Sequence, residues 1–185
     1  MIAKSIKGKS TEEIKSEFTK AMSDGFRPTL AICFISKSQD RRAICELLDQ
    51  ENIAIYGCTT NGEFIDEETE KGSAAILLLD MKKEHFHIYF EEYPKGNYRE
   101  VARSVAKNAS KCFAIPAFLI GTSHAGADGE EILQGMVDVV GPHVNAYGGA
   151  AGDDYTFAET FVFTNDKESN QGMVVLALDE DNIKI

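Results

Sequence analysis

Two short stretches of this chain read alike and hold most of its candidate site residues. Tyr56-Gly-Cys-Thr-Thr-Asn-Gly-Glu-Phe64 and Tyr147-Gly-Gly-Ala-Ala-Gly-Asp-Asp-Tyr155 both run aromatic, glycine, small residues, glycine or asparagine, acid, aromatic. A third polar loop, Gly121-Thr-Ser-His-Ala-Gly-Ala-Asp-Gly129, leads into a helix. Small residues at Gly57, Gly148, Gly149, Ala151 and Gly152 let a ligand reach backbone N–H groups, and successive N–H groups form an anion-binding nest. Glu63, Asp153 and Asp154 stand beside it as carboxylates, with Thr59, Thr60 and Ser123 on the same segments. A nest flanked by carboxylates suits an amino acid or a similar small polar metabolite. The same residues also fit a purely structural reading. Glycines allow strands to cross closely, and an Asp-Asp pair often marks a solvated turn.

Cys58 is the one candidate nucleophile, with His124 on the other polar loop as a possible base. Nothing in the sequence lowers its thiol pKa, so an inert buried thiol is the competing reading. The duplicate segment carries Gly149 in its place. His85 and His87 share a strand face, as two metal ligands can, but a third ligand is not evident among the acidic residues around them. The chain has no Walker loop, no G-x-G-x-x-G, no H-E-x-x-H and no C-x-x-C-H.

The elements that must position these residues follow from periodicity. Ser10 and Glu13 form a capping box for a helix through Ile14, Phe18 and Met22. Leu30–Ile35 and Ile53–Tyr56 are continuous apolar runs, short enough to be strands buried on both faces. Asp40 opens a helix between them. Strands follow at Ala74–Leu79 and Glu84–Phe90, then a helix at Tyr98–Cys112 capped by Asn97, and a strand at Ala117–Ile120. Asp128 and Glu131 open a helix that ends at Gly141-Pro142. Strands near Val144–Tyr147, Glu159–Thr164 and Gly172–Leu178 complete the chain. The expected fold is α/β (α+β), with mixed sheets flanked by helices and two similar β-α-β-β-β halves after an N-terminal helix. Residues 1–185 read as one domain with an internal repeat over about 29–91 and 116–180. Right-handed crossovers send both special segments to the C-terminal ends of parallel strands, where ligands sit in open sheets.

The chain has 185 residues and a formal charge of −11. That acidity argues against a phosphate-tracking nucleic-acid binder and against docking on anionic lipid. There is no membrane-spanning apolar run and no signal-peptide pattern, and the cysteines show no secreted-style framework. A cytoplasmic domain is expected.

From Leu30 to Leu178 the motifs also resemble the N-terminal part of the FIST sensory domain. The resemblance rests on GCTTNGE after an apolar strand, and on YGGAAGDD followed by an F-x-F strand and GMVVLAL. It implies an input module for signal transduction that binds a small ligand and performs no catalysis. Its partners would be a C-terminal FIST region or an output such as a histidine kinase, a chemoreceptor or a cyclic-dinucleotide enzyme. Some members bind haem and sense nitric oxide, and His124 is the axial residue that reading would need. On this resemblance the chain is about half of a sensor.

Overall fold

In a computed structural model, the structure describes residues 1–65, 68–93, 96–123 and 126–183. The chain runs β1 (Ile2–Gly8), α1 (Thr11–Met22), β2 (Leu30–Ser36), α2 (Arg41–Asp49), β3 (Ala54–Thr60), β4 (Glu63–Ile65), β5 (Glu68–Glu70) and β6 (Ala74–Asp80). A 3₁₀ turn at Lys83–His85 leads to β7 (Phe86–Glu92), α3 (Tyr98–Cys112), β8 (Pro116–Thr122), α4 (Gly129–Val140) and β9 (Ala146–Ala150). The last strands are β10 (Val162–Phe163), β11 (Glu168–Ser169) and β12 (Gly172–Asp179).

Helix starts obey their capping residues. The Ser10 hydroxyl accepts the Glu13 N–H at 3.2 Å, Asp40 accepts that of Ala43 at 3.0 Å, and Asp128 accepts those of Glu130 and Glu131. Asn97 stands at the N-cap of α3 but makes no capping bond with its side chain.

The strands form two mixed sheets, ordered β1-β6-β2-β3-β10-β11 and β7-β12-β8-β9, with β4 and β5 as a separate hairpin. Within each sheet one pair is parallel, β2 with β3 and β8 with β9, and the other pairings are antiparallel. Strand residues alternate between two buried faces. Ala31, Cys33 and Ile35 of β2 pack with Ile14 and Phe18 of α1 and Ile44 and Leu48 of α2. Met173, Val175 and Ala177 of β12 pack with Ala102 and Val105 of α3 and Ile132 and Met136 of α4. Leu30, Tyr56, Cys58, Val174 and Leu176 meet between the sheets. The layers are therefore helix, sheet, sheet, helix, and central strands read as unbroken apolar runs because both their faces are covered.

The topology moves the boundaries of the internal repeat. β7, assigned by sequence to the end of the first half, is the outer strand of the second sheet, and β1 holds the corresponding place in the first. Each half is thus strand, helix, strand, helix, strand, hairpin, strand, beginning at Ile2 and at Phe86 rather than near 29 and 116. β1 escapes periodicity because it is an edge strand in which Lys4, Ser5 and Lys7 break up the apolar pattern and only Ile6 and Gly8 are buried.

Candidate functional site

The two related segments are strand ends rather than turns. Gly57–Thr60 lie in β3 and Gly148–Ala150 in β9, so the chain turns only at Asn61-Gly62 and after Ala150. The parallel pairs aim both ends the same way, and they converge on one cavity of about 360 Å³ between the sheets. Phe34, Tyr56, Cys58, Thr59, Thr60, Asn61 and Gly62 line one side. Leu119, Ile120, Gly121 and Gly148–Gly152 line the other. A second cavity of about 480 Å³, bounded by Ile32, Phe34, Phe64 and Leu77, shares the wall formed by Phe34, Thr60 and Gly62.

Hydrogen bonds tie the segments directly together. The Gly152 N–H donates to the Thr59 carbonyl at 2.7 Å and the Asp154 N–H to that of Thr60 at 3.2 Å. The Asn61 side-chain oxygen accepts the Asp153 N–H at 2.8 Å and the Tyr155 N–H at 3.2 Å. Thr59, fully buried, donates its N–H to the Phe161 carbonyl and accepts the Phe161 N–H on its hydroxyl. Gly152 stands so close to Asn61 that an added Cβ would lie 2.6 Å from it. Gly148 has φ +147° and would bring a Cβ to 1.9 Å from the Ile120 carbonyl oxygen, so only glycine fits.

Several sequence candidates hold the walls up instead of facing the cavity. Gly57 makes room for the Phe163 ring, which crosses it on the helix side. Glu63 is buried and accepts the Thr60 hydroxyl at 2.5 Å and both the N–H and hydroxyl of Ser73. Asp153 accepts the Thr156 hydroxyl at 2.8 Å and the Ala158 N–H, and the Thr156 bond holds its carboxyl below the usual aspartate range. Asp154 accepts the Ser36 hydroxyl at 2.6 Å, while its other oxygen is buried without a partner among the described residues. Ser123 exchanges bonds with Gly172 on β12. His124 lies outside the described residues. Asn61 falls within the expected Gly57–Glu63 segment, whereas Phe34, Tyr56 and Gly121 were not expected in the site; their signal is geometric, since each meets the cavity only once strands from both halves are stacked.

Cys58 faces the cavity, but burial pushes its thiol up to about 12, outweighing the lowering effect of the Tyr56 hydroxyl. Its thiolate is therefore scarce at neutral pH. Iodoacetamide at pH 7.5 is expected to modify exposed Cys112 in the native protein and to spare buried Cys33, Cys45 and Cys58 until the chain unfolds. Rapid native labelling of Cys58 would show an activated or accessible thiol instead.

The histidine pair does not share a strand face. His85 sits in the 3₁₀ turn, 3.6 Å from an Asp179 oxygen, whereas His87 packs against the Tyr89 ring. No group of three metal-ligating side chains occurs among the described residues. The described lining of the cavity contains one sulfur, the Cys58 thiol, and His124, the axial residue a haem reading would need, lies outside the described residues. No helix among the described residues is long and apolar enough to cross a membrane.

The domain is a four-layer α/β/β/α stack in which both halves lend a strand end to one cavity. Residues 29–185 match the family model of the FIST N domain. The chain belongs to that family, whose domains act as sensory inputs in signal transduction. No curated protein matches it.

Proposed function

We propose that this domain senses a small metabolite held in the open cleft between its two sheets and performs no chemistry on it. The convergence of Cys58–Gly62 and Gly148–Gly152 on one cavity carries this reading. The volume falls within the usual range for ligand pockets, about 300–1,000 Å³. Asn61, Tyr56, Cys58 and the backbone of two glycine-rich strand ends supply polar contacts, and Phe34, Leu119 and Ile120 supply apolar ones. The expectation of an amino acid rested on carboxylates beside the pocket. Glu63, Asp153 and Asp154 do not line this cavity, so we favour a small polar metabolite that brings no ammonium group. A protonated Cys58 supports a non-enzymatic role.

All four cysteines are free, which suits a reducing cytoplasm. The output would lie in a partner or in a further region of the same signalling protein, such as a kinase, a chemoreceptor or a cyclic-dinucleotide enzyme. The test is thermal denaturation against a metabolite panel. A ligand at 100 times its Kd adds about 2.7 kcal/mol, which is a rise of roughly 5–10 °C for a domain of this size. A panel of several hundred compounds producing no shift would count against the reading, as would a Soret band on adding hemin that survives gel filtration.

A further inference from the structure

The internal repeat shows what covers one strand edge and leaves the matching edge bare. In the first sheet, β10 lies along the outer edge of β3. The Thr59 N–H donates to Phe161, the Ile55 N–H donates to the Asn165 side chain, and Phe163 stands opposite Gly57. The Phe163 ring then fills the space between β3 and α2, among Ile44, Cys45 and Leu48. In the second sheet β9 takes the place of β3 and α4 that of α2, but β9 is the last strand and nothing pairs with its outer edge among the described residues. The Phe118 N–H bonds the Asn145 carbonyl and the Ala151 N–H bonds that of Thr122. By strand alternation, Ala146, Gly148 and Ala150 therefore turn their backbone groups outward, as Ile55 and Thr59 do in β3.

The space that Phe163 fills in the first half is an apolar cavity of about 240 Å³ in the second. It lies between β9 and α4, against Ile120, Ile132, Leu133 and Tyr147. Leu133 and Tyr147 remain 48% and 51% exposed. The hairpin that corresponds in chain order to β10–β11 is β4–β5, whose β4 lies against β1, β2 and β6 and which, among the described residues, pairs with neither sheet. The cover that one half gives the other is thus not returned.

We propose that the outer edge of β9 docks an extended segment of a partner protein. The segment runs antiparallel to β9 and seats an aromatic side chain between Gly148 and α4, as Phe163 is seated over Gly57. Backbone bonds to Ala146, Gly148 and Ala150 supply affinity, and the cavity selects a large apolar residue, the usual division in strand addition. Asp128, Glu130 and Glu131, at the α4 terminus beside Gly129 of the cavity wall, favour basic residues flanking that segment.

The probe is a fluorescein-labelled peptide of residues 159–167 of this chain, which carries the Phe163 strand and Lys167. Anisotropy with the full chain is expected to saturate, with amide shifts at Ala146, Gly148 and Ala150. Alanine at the Phe163 position of the peptide, or Leu133→Lys in the protein, is expected to weaken binding at least about tenfold. The proposal is overturned if the peptide fails to saturate near millimolar concentration, or if neither substitution matters. It is also overturned if the shifts map to Gly57 on β3, which would mean the peptide merely replaces the native β10. A concentration-dependent dimer by sedimentation, with shifts on the same β9 amides, would assign the edge to a second copy and overturn the partner reading.

Discussion

Alanine at Gly57 is expected to destabilise the domain about as much as removing a core phenylalanine, by about 3–5 kcal/mol. The added Cβ would lie 2.1 Å from the Phe163 ring, which is 1% exposed and enclosed by α2 and the first sheet. The ring is rigid, so it must leave or carry β10 with it, and β10 has only two residues of strand pairing to resist. Loss of β10 would also release Phe161 from Thr59, the residue whose carbonyl holds Gly152. For a domain of this length the melting temperature should fall by roughly 10 °C or more. A double-mutant cycle gives the cause. Phe163→Ala alone should cost a similar amount, but the double variant should cost little more than either single one, because the clash vanishes with the ring. Strict additivity would show that the two residues do not share this space. A Gly57→Ala protein of normal stability with impaired ligand binding would restore the role that its sequence position first suggested.

Leucine at Gly149 is expected to leave the fold intact and to weaken ligand binding by at least about a hundredfold, some 2.7 kcal/mol. A Cβ built there meets no atom within 4 Å, and its φ is not in the left-handed region that strains side chains. The residue lines the inter-sheet cavity, so a branched side chain occupies open space that the ligand needs. Neighbouring Gly148 behaves differently, since any side chain there strikes the Ile120 carbonyl. Circular dichroism melts of Gly149→Leu should match the parent within about 1–2 °C, as expected for a substitution that adds no buried strain. Titration with the ligand found by the metabolite panel should show no heat or shift. Unimpaired binding by a normally folded variant would place the ligand elsewhere.

Much of the layer structure was legible because central strands and amphipathic helices obey simple periods. Leu30–Ile35 and Gly172–Leu178 are apolar without alternation, as strands covered on both faces must be. Ser10, Asp40 and Asp128 marked helix starts by types that accept backbone N–H groups. What escaped was set by partners distant in sequence. β1 is half exposed and gains its identity from pairing with β6. Gly57–Thr60 and Gly148–Ala150 looked like turns because glycine and small residues are common there, yet here they make room for Phe163 and for the Ile120 backbone. The carboxylates illustrate the limit most clearly. Glu63 and Asp153 were candidate ligand groups by position, but a buried carboxylate needs donors, and Thr60, Ser73 and Thr156 already provide them.

The repeat gives these observations a common physical origin. Stacking two sheets brings the ends of β3 and β9 face to face, and bonds between Thr59, Asn61 and the Gly152–Tyr155 backbone fix their separation. A cavity between two such ends belongs to neither half alone. A ligand inside it therefore reports on the relation between the sheets, which is the property a sensory domain can transmit.

Amide chemical-shift mapping during ligand titration tests this most directly. The account predicts simultaneous, saturable shifts at Cys58–Gly62 and at Gly148–Gly152, fitting a single Kd and accompanied by Phe34 and Gly121. Shifts confined to one segment, or centred away from the space between the sheets, would contradict a site built jointly by the two halves.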